Sequence, residues 1–196
     1  MGASVAEQNK VWTEEELMRL PEDGYIHEVV DGELVMSPKN NFQHGGIFNR
    51  LFLAMAQFNR RHRLGIVRGS DIGFWMQNRN CRAPDISFIP RARLESMGFK
   101  PNSRRFFPGA PDLAVEILSP NNVRSEINER LKDFFASGTQ IAWVINPDEE
   151  CAEVCHSVTD RKLLGPGASL DGEHLLPGLS CPIGDLFKEW DWDDSD

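Results

Sequence analysis

Two short apolar runs constrain this chain more than any other feature of its sequence. Residues 113–118 are apolar at every position except Glu116, and residues 140–145 are apolar after Gln140. Runs of this kind suit strands buried on both faces of a sheet, where an unpaired carboxylate such as Glu116 would be costly. Between them, residues 122–137 repeat Val123, Ile127, Leu131, Phe134 and Phe135 at helical spacing, with Asn122 placed to cap the helix and Gly138 to stop it. Strand, helix and strand in succession make a parallel crossover, so the chain is read as α/β.

The flanking sequence extends that framework. Thr13 followed by Glu16 forms a capping box for a short helix that ends by Pro21. Residues 25–30 and 33–36 read as a hairpin joined by Asp31-Gly32, which tolerates the positive φ of a type I′ turn, and Glu28 lies inside its first strand. Ile47, Leu51, Ala54, Met55 and Phe58 predict an amphipathic helix over residues 42–62, with His44 in its first turn. Residues 66–77 and 82–89 are expected as two further strands flanking a turn at residues 78–80, with Pro84 at the start of the second strand or at an edge. Residues 90–111 are basic, punctuated by proline and glycine, and expected as a long surface loop. Residues 153–158, 162–164 and 174–175 are weaker strand candidates. Residues 183–190 predict a last short helix, and 191–196 a frayed acidic tail.

At 196 residues with 40% hydrophobic content, one domain with an ordinary core is expected over the whole chain, 1–196. No stretch approaches the ~18 apolar residues of a membrane helix, and the amino terminus lacks a signal-like apolar segment. Four scattered cysteines do not form the framework of a secreted domain, so free thiols in the cytoplasm are expected. The net charge of -9 argues against a nucleic-acid partner, but residues 60–105 hold eleven basic residues against three acidic ones. That segment carries +8 and the remainder -17, so either a polarised surface or charges spread around the fold is open.

Asp85 and Glu116 are each a carboxylate embedded in an otherwise apolar strand. On neighbouring strands they would share a hard divalent cation, which takes oxygen ligands and leaves waters to attack a phosphodiester. The alternative is that Asp85 caps a turn beside Pro84 and Glu116 pairs with a basic residue. Cys151, Cys155 and His156 lack a second zinc half-site and read as packing. His27 beside Glu28 lacks the second histidine of a metalloprotease helix.

The ordered set Tyr25-Ile26-His27-Glu28, Asp31-Gly32-Glu33-Leu34, His44, Pro84-Asp85, Val115-Glu116-Ile117-Leu118-Ser119-Pro120 and Ala142-Trp143-Val144-Ile145-Asn146-Pro147 resembles the Uma-type putative restriction endonuclease family, over about residues 13–155. The resemblance implies a restriction-endonuclease-like PD-(D/E)XK fold: a central mixed β-sheet flanked by helices, with an N-terminal helix and β-hairpin. It also implies a metal site of Asp85 and Glu116 with Glu28 as a third ligand, His44 nearby, Mg²⁺ (or Mn²⁺) as cofactor and DNA as substrate. The superfamily's lysine, two residues after the glutamate, is replaced here by Leu118. Alignment on Phe134-Phe135 and Gly138 puts Arg130 in that role. On a helical wheel Arg130 borders the apolar stripe and reaches inward, whereas Lys132 lies about 130° from its centre and faces solvent.

Three readings follow: a Mg²⁺-dependent DNA endonuclease using Glu28, His44, Asp85, Glu116 and Arg130; a catalytically weak nucleic-acid-binding module of the same fold; or a protein-interaction scaffold. Arg91, Arg93, Arg104 and Arg105 are the candidate phosphate contacts. By analogy with restriction enzymes, a homodimer is expected.

Overall fold

A computed structural model describes residues 11–38, 40–120 and 122–188. The two apolar runs are strands β8 (Leu113–Ile117) and β9 (Ile141–Asn146), paired in parallel and joined by helix α4 (Arg124–Ala136). All five residues of β8 are buried. Alternation sends Leu113, Val115 and Ile117 into the core on one face of the sheet, while Ala114 joins the core on the other. The first face is covered by helix α2 (Phe42–His62) through Ile47, Leu51 and Met55; the second is covered by α4 through Ile127, Leu131 and Phe134. Glu116 lies one register step from Val115 and so shares the α4 side with Ala114.

The central sheet has six strands in the order β11-β10-β9-β8-β6-β3, where β3 is Gly65–Gly69, β6 Ile86–Pro90, β10 Cys151–Cys155 and β11 Arg161–Leu164. Every pairing except β8 with β9 is antiparallel, so the sheet is mixed. A second sheet, in the order β2-β1-β5-β4-β7, comprises β1 (Ile26–Val30), β2 (Glu33–Ser37), β4 (Phe74–Trp75), β5 (Cys81–Arg82) and β7 (Phe107–Pro108). Its outer face packs Val29 and Cys81 against Leu17 of helix α1 (Glu14–Leu17). A two-stranded ribbon, β12 (Ser169–Asp171) and β13 (Ser180–Pro182), leads into α5 (Ile183–Phe187), which packs on α2.

Several local expectations hold. Thr13 and Glu16 make the reciprocal capping box, Asp31 (φ 51) and Gly32 (φ 85) form the hairpin turn, and α2 begins at Phe42 with His44 in its first turn. All four cysteines are free and buried, and no described helix is long and apolar enough to cross a membrane.

Five expectations are corrected. Residues 66–77 and 82–89 are four strands, because the chain leaves the central sheet after Gly69, makes the β4–β5 hairpin in the second sheet and returns at Ile86. Pro84 sits between β5 and β6, where neither ladder needs its missing N–H. Residues 90–111 contain α3 (Arg91–Met97), ended by Gly98 in the left-handed conformation, and the short β7. Asn122 does not cap α4: its carboxamide accepts from Ser119 N at 2.8 Å, Val123 is the N-cap residue, and Glu126 reaches back to Val123 N. Residues 174–175 are not a strand; the ribbon is built from β12 and β13 instead. The acidic tail at 191–196 lies outside the described residues.

Candidate active site

The chain crosses from the second sheet to the central one at Ala83, Pro84 and Asp85, and a cleft of about 420 Å³ opens at that seam. Glu28, His44, Asp85, Glu116 and Arg130 all line it, so five residues spread over more than a hundred positions converge on one side of the molecule. β1 delivers Glu28, the first turn of α2 delivers His44, the approach to β6 delivers Asp85, β8 delivers Glu116 and α4 delivers Arg130.

Arg130 is the centre of the arrangement. Its Nε donates to Glu116 Oε1 at 2.9 Å, one terminal nitrogen donates to Glu28 Oε2 at 2.6 Å and the other to the Ala83 carbonyl at 3.3 Å. Its side chain is 18% exposed, while that of Lys132, two residues on, is 57% exposed and pairs with Glu129 at 2.6 Å. The helical wheel therefore separates the inward arginine from the outward lysine correctly. Burial works against the arginine's charge, but Glu116 and Glu28 outweigh it and hold Arg130 protonated.

Glu28 is 2% exposed and fully engaged. Its Oε1 accepts from Ala83 N at 2.7 Å, and its Oε2 accepts from Arg130 and, at 3.5 Å, from Arg82. Burial pushes its carboxyl up, yet the charges of Arg130 and Arg82 and these hydrogen bonds hold it below its ordinary value. Glu28, expected as a third metal ligand, thus has both oxygens committed to protein donors.

Among the described residues, Asp85 and Glu116 each keep one oxygen free of protein donors. Asp85 Oδ2 accepts from Ile117 N at 2.8 Å and faces His44 Nε2 at 3.2 Å. Glu116 uses only Oε1, on Arg130. Burial pushes the Glu116 carboxyl up to about 8, and the neighbouring charges of Asp85 and Glu28 add to this against the opposing pull of Arg130. Glu116 does pair with a basic residue, as the second alternative has it, and it also lines the same cleft as Asp85.

Arg82 and Asp133 escaped sequence reasoning. Asp133, on α4, accepts from Asn78 at 2.7 Å, from Asn80 at 3.0 Å and from Arg82 Nε at 2.7 Å, so that Arg82 bridges it to Glu28. The only available signal was an aspartate beside the apolar stripe of a helix. Of the four candidate phosphate contacts, Arg93 turns inward onto Asp112 at 2.7 Å and the Ala110 carbonyl at 2.8 Å, with its guanidinium 5.1 Å from the Phe107 ring centroid. Arg91 pairs with Glu95 and Arg105 with Glu14 on the surface, and Arg104 is exposed.

Residues 14–184 match the family model of Uma2, described as a putative restriction endonuclease. The fold is shared with a crystal structure of a putative nuclease belonging to DUF820 from Anabaena variabilis ATCC 29413, with a TM-score of 0.77 and 23% identity over 90% of this chain and 97% of that one. No curated protein matches. Since the family model spans most of the chain, including every residue of the cleft, the protein is a member of the Uma2 family.

Proposed function

We propose that the protein is a divalent-metal-dependent nuclease that hydrolyses phosphodiester bonds of DNA. The observation that carries this reading is that Asp85 and Glu116 line one cleft with Arg130, and that among the described residues Asp85 Oδ1 and Glu116 Oε2 accept from no protein donor. Among the described residues no three His, Cys, Asp or Glu side chains form a ready-made metal cage. Two carboxylates are nonetheless a suitable donor set for Mg²⁺ or Mn²⁺, since Mg²⁺ usually binds through one or two carboxylates and keeps several waters. Burial first, and then the charges of Asp85 and Glu28, disfavour the ionised Glu116 carboxyl, and a bound cation would favour it.

An ion bound there supplies Lewis acidity, making its water more acidic and stabilising charge on the phosphate. The protein's own residues do the rest. Ile117 N and His44 fix the Asp85 carboxylate in orientation, and Glu28 anchors Arg130 instead of acting as a ligand. Arg130, permanently protonated, can hold a phosphate oxygen but cannot accept a proton. Supporting phosphate contacts fall to Arg104 and Arg105 at the surface; Arg93 belongs to the fold, and Arg91 lines a separate groove.

The test is digestion of plasmid and single-stranded DNA with Mg²⁺, Mn²⁺ or EDTA. Cleavage that needs the cation and disappears in Asp85→Asn and Glu116→Gln is the expected result. Cleavage that survives EDTA or either variant, or no cleavage of any DNA by the wild-type protein, would reject the reading. One observation favours the second reading, a nucleic-acid-binding module: the guanidinium of Arg130 is already bonded to two carboxylates. Salt-dependent DNA binding without cleavage under all these conditions would select it.

A further inference from the structure

We propose that a second groove, at the opposite end of the central sheet from the carboxylate cleft, binds a single-stranded nucleic-acid segment. Phosphates would lie on Arg60, Arg63 and Arg91, and an unstacked base on the apolar floor around Phe99. The groove, of about 560 Å³, runs between the carboxyl end of α2, the first residues of β3 and helix α3, and Ile66, Leu94 and Phe99 line it along with the arginines and Glu95. Gly65 pairs with Pro90 at one end of β6, whereas Asp85 precedes Ile86 at the other. The strand between them is about 13 Å long.

The rim is built in place by hydrogen bonds. Asn59 donates its side-chain amide to the Gly65 carbonyl at 3.0 Å and accepts from Gly65 N at 2.9 Å. Arg63 N donates to the Asn59 carbonyl at 2.6 Å, and Arg91 N to the Leu64 carbonyl at 2.7 Å, which ties α3 to the end of α2. Arg63 itself is left-handed (φ 56) at a helix C-cap, where glycine or asparagine is usual, and backbone outliers of this kind gather at binding sites. Among the described residues Arg60 and Arg63 have no acidic partner. Arg91 has Glu95 at 2.6 Å, but both side chains are more than 60% exposed, and such a pair is weak enough for a phosphate to displace.

Cations on the rim and an aromatic floor together match a nucleotide unit, which carries an anion and a flat ring in every repeat. A duplex hides its base faces by stacking, so the groove fits a single strand. The inference needs neither Asp85 nor Glu116 and stands apart from the cleavage reading.

The experiment is fluorescence anisotropy of a labelled oligothymidylate of about twelve nucleotides, titrated with the full-length protein in EDTA so that no metal-dependent cleavage interferes. Arg60→Ala combined with Arg63→Ala should weaken binding about tenfold and reduce the salt slope by roughly 1.4, two phosphate contacts at ~0.7 each. Phe99→Leu, which keeps the floor apolar but removes the aromatic face, should weaken binding by about fivefold or more. Circular dichroism confirms that the variants are folded. No binding by the wild type at low salt, or unchanged affinity and salt slope in the arginine variant, would overturn the proposal. Preference for the matching duplex, or displacement of the oligomer by thymidine monophosphate at equal nucleotide concentration, would also overturn it. Cleavage without this binding would reject the groove alone, and binding without cleavage would reject the nuclease alone.

Discussion

Arg130 shows how one side chain can couple stability to chemistry. Replacing it with alanine strands Glu28 and Glu116 in a largely buried site, so Arg130→Ala should lose about 100-fold in cation-dependent cleavage and also cost on the order of 3 kcal/mol of stability. Chemical denaturation alongside the cleavage assay measures both, and a variant as stable as wild type would contradict the clamp. Arg130→Lys keeps the charge but not the planar fork, and higher cleavage than wild type would mark the arginine as a weakened form of a lysine. The two glutamates respond oppositely to pH. Glu28, held below its ordinary value, stabilises above about pH 4.5 and loses that contribution on acidification; Glu116, raised from 4.5 to about 8, has its contribution complete below 4.5 and loses it as pH rises towards 8. Wild-type Tm should therefore fall relative to that of Glu116→Gln between about pH 5 and 8. Parallel curves would show that the Glu116 carboxyl is not raised. Asp85 and Glu116 were legible as carboxylates in apolar strands, whereas Glu28, His44 and Arg130 entered as site residues through the family resemblance, and Glu28's role as an anchor depends on Ala83 and Arg82 and has no local signal.

At the level of elements, legibility follows whether partners are near in sequence. The α2 and β8-α4-β9 segments carry their own periodicity and fold as expected. Strands β3 to β6 do not, because an alternating run looks the same whether it stays in one sheet or crosses into another. Helix α3 did have readable signals, Pro90 before its first residue and Gly98 after its last, masked by the surrounding prolines. The β3–β6 junction is tight: a Cβ at Gly65 would collide with the Ile89 carbonyl oxygen and lie 2.8 Å from the Phe88 ring. Gly65→Ala should cost about 1–3 kcal/mol, lowering Tm by roughly 5 °C. An unchanged Tm would show that the strand can shift. Helix α4 offers a paired comparison. Asp133→Asn removes the buried counter-charge of Arg82 and should destabilise by on the order of 3 kcal/mol. Lys132→Ala, on the exposed face, should stay within about 0.5 kcal/mol, and a larger loss there would count against the orientation of the helix.

Across the whole molecule, the net charge of -9 conceals a basic segment whose members have different roles. Arg82 and Arg93 neutralise buried carboxylates, whereas Arg104 and Arg105 remain at the surface. Changing Arg104 and Arg105 together to alanine should weaken binding to duplex DNA and lower its salt slope by up to about 1.8, less if Glu14 already screens Arg105. An unchanged slope in a filter-binding or anisotropy titration would exclude that surface. Sequence counting could not separate these roles, because a buried ion pair and a solvated arginine look alike until the chain is folded.

The bond between Arg130 and Glu28 joins residues 102 positions apart, and β9, the parallel neighbour of β8, follows Arg130. During synthesis the ribosome therefore releases Glu28, His44 and Asp85 well before, and Glu116 14 residues before, the guanidinium that holds the two glutamates together. A nascent chain has the carboxylates but not the assembled cleft. Translation stalled before α4, or a fragment cut there, leaves a product with no organised centre, so whatever chemistry the cleft performs begins only once α4 has been made.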